Sequence, residues 1–130
     1  MADPFHHELQ TYISANSVDF TQGTNLLVDG FSERILTCVV LFPGGGESAS
    51  PDFAPVNVPF VTVRSRGESR PVAIANWKRI FDFLDKRANY DLANYTVMFS
   101  QGIEPSPVLT IRPNNIVIYE SNFKFIKKNT

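Results

Sequence analysis

Cysteine is almost missing from this chain: Cys38 stands alone among 130 residues, so no intramolecular disulfide can form. Charge of one sign is also missing, since 12 Lys and Arg face 13 Asp and Glu for a formal net charge of −1. That balance argues against a general nucleic-acid binder, which carries a basic excess, although a local basic patch stays open. No apolar run approaches the roughly 20 residues that cross a bilayer. The opening MADPFHHELQ has no cationic stretch followed by an apolar one, so no signal peptide is read there. A soluble protein made in a reducing cytosol, with no membrane partner, fits these absences.

Catalytic signatures are missing as well. There is no serine-centred elbow, H-E-x-x-H, C-x-x-C or glycine-rich dinucleotide fingerprint. The triplet Gly44, Gly45 and Gly46 is not followed by Lys-Ser or Lys-Thr or by a helix, so the phosphate-loop reading fails. Cys38 lies inside ILTCVVLF, where a free thiol behaves as a small hydrophobe rather than a nucleophile. His6 and His7 are neighbours on a helix and point in different directions, so they are read as solvated polar positions. Asp82 and Asp85 are flanked by lysines and read as salt-bridge partners. No enzyme activity, cofactor or metal is expected.

What is present suits one domain spanning residues 1–130. The composition, 43% hydrophobic and 19% charged, is that of an ordinary globular protein. Asp3 and Pro4 supply helix-start chemistry, and Phe5, Leu9, Tyr12 and Ile13 form one apolar stripe behind them. Leu26 to Val28 is a possible short strand. Residues 34–42, RILTCVVLF, read as a strand covered on both faces, with a neighbouring subunit as one source of the second cover. Residues 43–59 hold three glycines and four prolines, which predicts a long loop or an extended arm.

FVTVRSRG alternates, with Val61 and Val63 on one face and Thr62, Arg64 and Arg66 on the other. Ser69 and Pro71 then open a helix to about Arg87, whose arc of Ala73, Ile74, Trp77, Ile80, Phe81, Leu84 and Ala88 is the best core face in the chain. Phe83 projects nearly opposite that arc, near Val72, Asn76 and Arg79; it is either a lone exposed ring or part of a protein-contact patch. Strands follow at 95–102, with Tyr95, Val97 and Phe99 on one side, at 108–112, and at 114–128, with Val117, Tyr119, Phe123 and Phe125 on one face. The expected fold class is α+β: two helices on one face of a mainly antiparallel sheet.

Arg64, Arg66 and Arg70 are the strongest polar signal. A solvated strand face with cross-strand carboxylates, Glu120 among them, is one reading. A guanidinium clamp on a neighbouring subunit is the second, and an anion site at the following helix start is the third.

The segment GGGESASPDFAPVNVPFVTVRSRG, the helix AIANWKRIFDFLD, and the short strands closing on an aromatic one resemble the tail-completion proteins of long-tailed bacteriophages. That group includes tail terminators and the phage minor capsid protein family. The residues that carry the resemblance are Gly44 to Gly46, Pro59, Val63, Arg66, Gly67, Leu84 and Asp85; here the strand ends in VRSRG where the family has a tighter Val-Arg-Gly. The resemblance implies a structural virion protein without catalytic residues. It implies a ring, commonly a homohexamer, that caps the head-proximal end of the tail tube, ends its polymerisation and joins tail to head. Its partners would be copies of itself, the major tail-tube protein and a head-completion or connector protein, with no sequence-specific nucleic acid. Gly44, Gly45, Gly46, Phe53, Arg64, Arg66, Arg70, Val72, Arg79 and Phe83 are then candidates for subunit or tube contacts. Another head–tail joining protein, such as a stopper, is the near alternative. A small α+β enzyme or ligand-binding module with a site under the 43–59 loop is the distant one.

Overall fold

The computed structural model describes residues 4–32, 34–47, 56–103, 108–111 and 116–129. The element order is α1 (Phe5–Asn16), β1 (Leu26–Val28), β2 (Cys38–Glu47), β3 (Val56–Gly67), α2 (Arg70–Leu84), β4 (Arg87–Asp91), β5 (Tyr95–Gly102), β6 (Val108–Ile111) and β7 (Val117–Asn129). The fold is α+β. One sheet runs in the order β1-β2-β3-β7-β5-β4, and β6 also pairs with β7. β1 lies parallel to β2, and the other named strands pair antiparallel, so the sheet is mixed.

Alternation decides which side chains turn inward. Val39 and Leu41 of β2, Val61 and Val63 of β3, Val97 of β5, and Phe123 and Phe125 of β7 share the core with Leu9 and Ile13 of α1 and Ile80 and Leu84 of α2. Phe5 sets its ring edge against Tyr95 and Phe125, which anchors the start of α1 over the far strands. A second cluster joins Ala73 and Trp77 to Val117 and Tyr119. Trp77 is buried there, and its Nε1 donates to Ser121 Oγ at 2.8 Å, so burial does not orphan the indole N–H.

Several expectations need correction. The segment 43–59 is not irregular at its ends: residues 43–47 extend β2 and residues 56–59 open β3. They pair across a β-bulge between Pro43 and Gly46, where Gly45 takes φ 84°, so the glycines serve the bulge rather than break the strand. The intervening residues, Phe53 included, lie outside the described residues. The second α-helix stops at Leu84, and Lys86 turns the chain at φ 59° into β4, which places Ala88 on a strand. Ile74 is exposed rather than in the core arc. A register shift between Val97 and Phe99 reverses the alternation of β5, so Ser100 takes the inward place expected of Phe99.

The second face of β2 is closed from within the chain. Cys38 and Val40 are fully buried, and the connection after β1 lies against them, with Cys38 Sγ 3.6 Å from the Ile35 carbonyl. Burial raises the Cys38 thiol pKa, in keeping with a packing role.

Candidate functional site

The helix-free face of β3 carries the arginines. β3 pairs with β7 so that Arg64 lies opposite Glu120 and Thr62 opposite Asn122. Arg64 forms an ion pair with Glu120 and also sits over the Phe42 ring, 4.8 Å from its centroid. The cross-strand reading of this arginine therefore holds. Thr62 Oγ1 donates to Asn122 Oδ1 at 2.7 Å beside it.

Arg66 is held differently. Its guanidinium donates to the carbonyls of Leu36 at 3.1 Å, of Ser32 at 2.6 Å, and of Ile35, and stacks 4.4 Å from the centroid of Phe31. Arg66 thus pins the 31–36 connection over β2, with its fork used inside the chain. Arg70 is exposed at the first turn of α2, and Arg79 is exposed with a 2.9 Å hydrogen bond to Asn76 Oδ1. The arginines do not share a focus: among the described residues, Arg64, Arg66 and Arg79 each hold different partners.

Phe83 requires a correction. It is half-buried and packs on the core, with Arg87 4.3 Å from its ring centroid and Tyr12 at 6.1 Å. Tyr12 of α1 and Arg87 of β4 both lie against its ring, so Phe83 and Val72 do not form one open patch. Val72 is exposed beside Gly67. Ile74 is exposed on the same helix, as are Leu109 and Ile111 on β6. β6 runs beside the stretch of β7 whose Val117 and Tyr119 pack under Ala73 and Trp77. The outer edge of β2 beyond Leu41 is a further surface, because β1 pairs only Val39 to Leu41 and, among the described residues, no strand lies along Pro43 to Glu47 on the side away from β3.

The two histidines converge rather than diverge. His6 Nε2 lies 2.6 Å from Asp29 Oδ1 and His7 Nε2 2.5 Å from Asp29 Oδ2, with the two rings nearly perpendicular. Neighbours on a helix do diverge at Cβ, but both imidazoles reach across to one carboxylate on the turn after β1. Hydrogen bonds from His7 and then His6 lower the Asp29 pKa. Nothing in the sequence marks Asp29 as their partner.

A cleft of about 270 Å³ between α1 and the β4–β5 turn is lined by Glu8, Tyr12, Asn16 and Asp91, among others. Glu8 is not a free acid there: its two oxygens accept from the backbone and side-chain nitrogens of Asn94 at 2.7 and 2.8 Å.

Neither a scan against protein-family models nor a search of curated proteins finds a match to the sequence. Among solved structures, a chain described as "Virion of native gene transfer agent (GTA) particle" matches with a TM-score of 0.64 at 13% identity. The match covers 95% of this chain and 90% of that one. The fold is shared. Because the likeness extends over nearly all of both chains, it is a likeness of whole architecture and not of one motif. Among the described residues, no helix is long and apolar enough to cross a membrane.

Proposed function

We propose that this protein is a structural component of a phage-like virion and serves as a tail terminator. Copies of the chain form a ring, expected as a homohexamer, on the head-proximal end of the tail tube. The ring stops tube growth and presents the surface that receives the head. The protein acts by docking and not by catalysis. One observation carries this reading: the near full-length fold likeness to a chain of a virion particle.

The surfaces described above suit such a role. A ring needs two different patches per subunit, each meeting the other on the next copy. The outer edge of β2 beyond Leu41, unpaired among the described residues, offers main-chain donors and acceptors to a neighbour. The exposed apolar side chains of α2 and β6 offer the second patch. Arg64, Arg70 and Arg79 lie exposed or partly exposed around them and contribute charge at the rim. The same likeness also accommodates another ring of the head–tail junction, because it is to a chain of a whole virion particle.

The test uses the full chain and a polymerising phage tail-tube protein. Native mass spectrometry and negative-stain electron microscopy should show rings, free or seated on one end of each tube, and tube growth should stop once they are added. A chain that stays monomeric both alone and with growing tubes, and leaves their length unchanged, would overturn the assignment. Rings that bind head connectors but ignore tubes would move it to the other side of the junction.

A further inference from the structure

We infer that His6, His7 and Asp29 form a binding site for one divalent transition-metal ion, with Zn²⁺ the best chemical fit. This inference is independent of the virion role. One ligand atom from each residue lies within 4.8 Å of the other two. A tetrahedral ion held at about 2.1 Å from N and O donors needs them roughly 3.4 Å apart, so movement on the order of an ångström closes the site. Two imidazole nitrogens and one carboxylate oxygen, with water in the fourth position, are a donor set that zinc accepts. Mg²⁺ and Ca²⁺ prefer oxygen and would leave both nitrogens poorly used.

The donors are held by parts of the fold that cannot drift apart. The stripe of α1 that carries His6 also carries Gln10, whose Nε2 donates to the Leu26 carbonyl at 2.8 Å. One turn further along, Leu9 and Ile13 are fully buried. Asp29 is fixed from the other side, with its backbone N–H donating to Leu41 at 3.0 Å. The helix start and the turn after β1 therefore face each other at a set distance, with the carboxylate between the rings.

Access and charge also suit an ion. The His6 side chain is 9% exposed, His7 36% and Asp29 49%, so the site is walled on one side and open to solvent on the other. An open cleft of about 430 Å³ borders Asp29, with Gln10, Phe31 and Ser32 also on its wall. Without an ion each carboxylate oxygen accepts from one imidazole N–H. On binding, each Nε2 turns its lone pair to the metal, and a proton leaves it or shifts to Nδ1. Two neutral imidazoles and one carboxylate carry a single negative charge, which a dication more than balances.

Tag-free full-length protein, stripped with chelator, should be titrated with ZnCl₂ by calorimetry and with CoCl₂ by visible absorption. One ion per chain is expected, with cobalt bands of a low-coordinate nitrogen–oxygen site. His7→Gln and Asp29→Asn, whose side chains are the more exposed, should keep the native circular dichroism and lose roughly tenfold or more in affinity. His6 and His7 are the only histidines in the chain, so the imidazole nitrogen signals of the wild type can be followed without ambiguity. Zn²⁺ should shift both sets of signals, a readout that survives even if a variant fails to fold. No saturable binding, affinity that both variants leave within about twofold, or imidazole signals that ignore Zn²⁺ would overturn the site.

Discussion

Arg64 and Arg66 point to the same side of one strand, yet their surroundings set them apart. Arg64 makes a part-exposed ion pair with Glu120, the type of contact worth about 0–1 kcal/mol. Arg66 donates to three carbonyls of the connection that covers Cys38 and Val40. Removing it leaves those acceptors without their charged donor, so Arg66→Ala should destabilise the fold by about 2–3 kcal/mol, and Arg64→Ala by less than about 1. Lysine should not rescue position 66, because one ammonium cannot reproduce a planar fork. Urea denaturation of the three variants checks this ranking; equal losses at 64 and 66 would refute it. The Arg64 partner was legible in the sequence, because alternation put both residues on a face and Glu120 was the charge available on the closing strand. The Arg66 partners were not, since backbone carbonyls leave no mark on composition.

At the scale of elements, glycine had two meanings that sequence alone could not separate. Gly44 to Gly46 looked like the end of regular structure, whereas Gly45 supplies the left-handed residue of a bulge inside a continuing strand. A Cβ at Gly45 meets nothing within 4 Å, so Gly45→Ala should cost about 1 kcal/mol through conformation alone. A Cβ at Gly44 would press on the Phe60 carbonyl and Thr62 Oγ1 at 3.1 Å, so Gly44→Ala should add a steric cost. Thermal melts that leave both variants at the wild-type midpoint would contradict the bulge. Periodicity located both helices and the strands at β5, β6 and β7, because each repeats over enough residues to stand out. It missed β4 and the end of α2, where Lys86 makes the turn without the usual glycine. It also misplaced Phe99, because one bulge inverts every later side chain of a strand.

For the whole molecule, the hairpin of β2 and β3 links folding to assembly. Its outer end is tied into the sheet, since Val56, Asn57 and Phe60 of β3 also pair with Lys128, Lys127 and Lys124 of β7. Shortening the chain between Glu47 and Val56 should therefore leave the melting midpoint nearly unchanged while abolishing rings on tubes. Loss of folding would show instead that the segment belongs to the core. The α+β class, the inward faces of most elements, the buried place of Cys38 and the Arg64 partner were all determined by the sequence itself, because each follows from local period or nearest available charge. The tertiary structure alone decided that His6 and His7 meet Asp29, that Arg66 closes the back of β2 and that Phe83 packs against Tyr12 and Arg87. Those contacts join segments far apart in the chain, and only the packed core brings them within hydrogen-bonding or van der Waals reach.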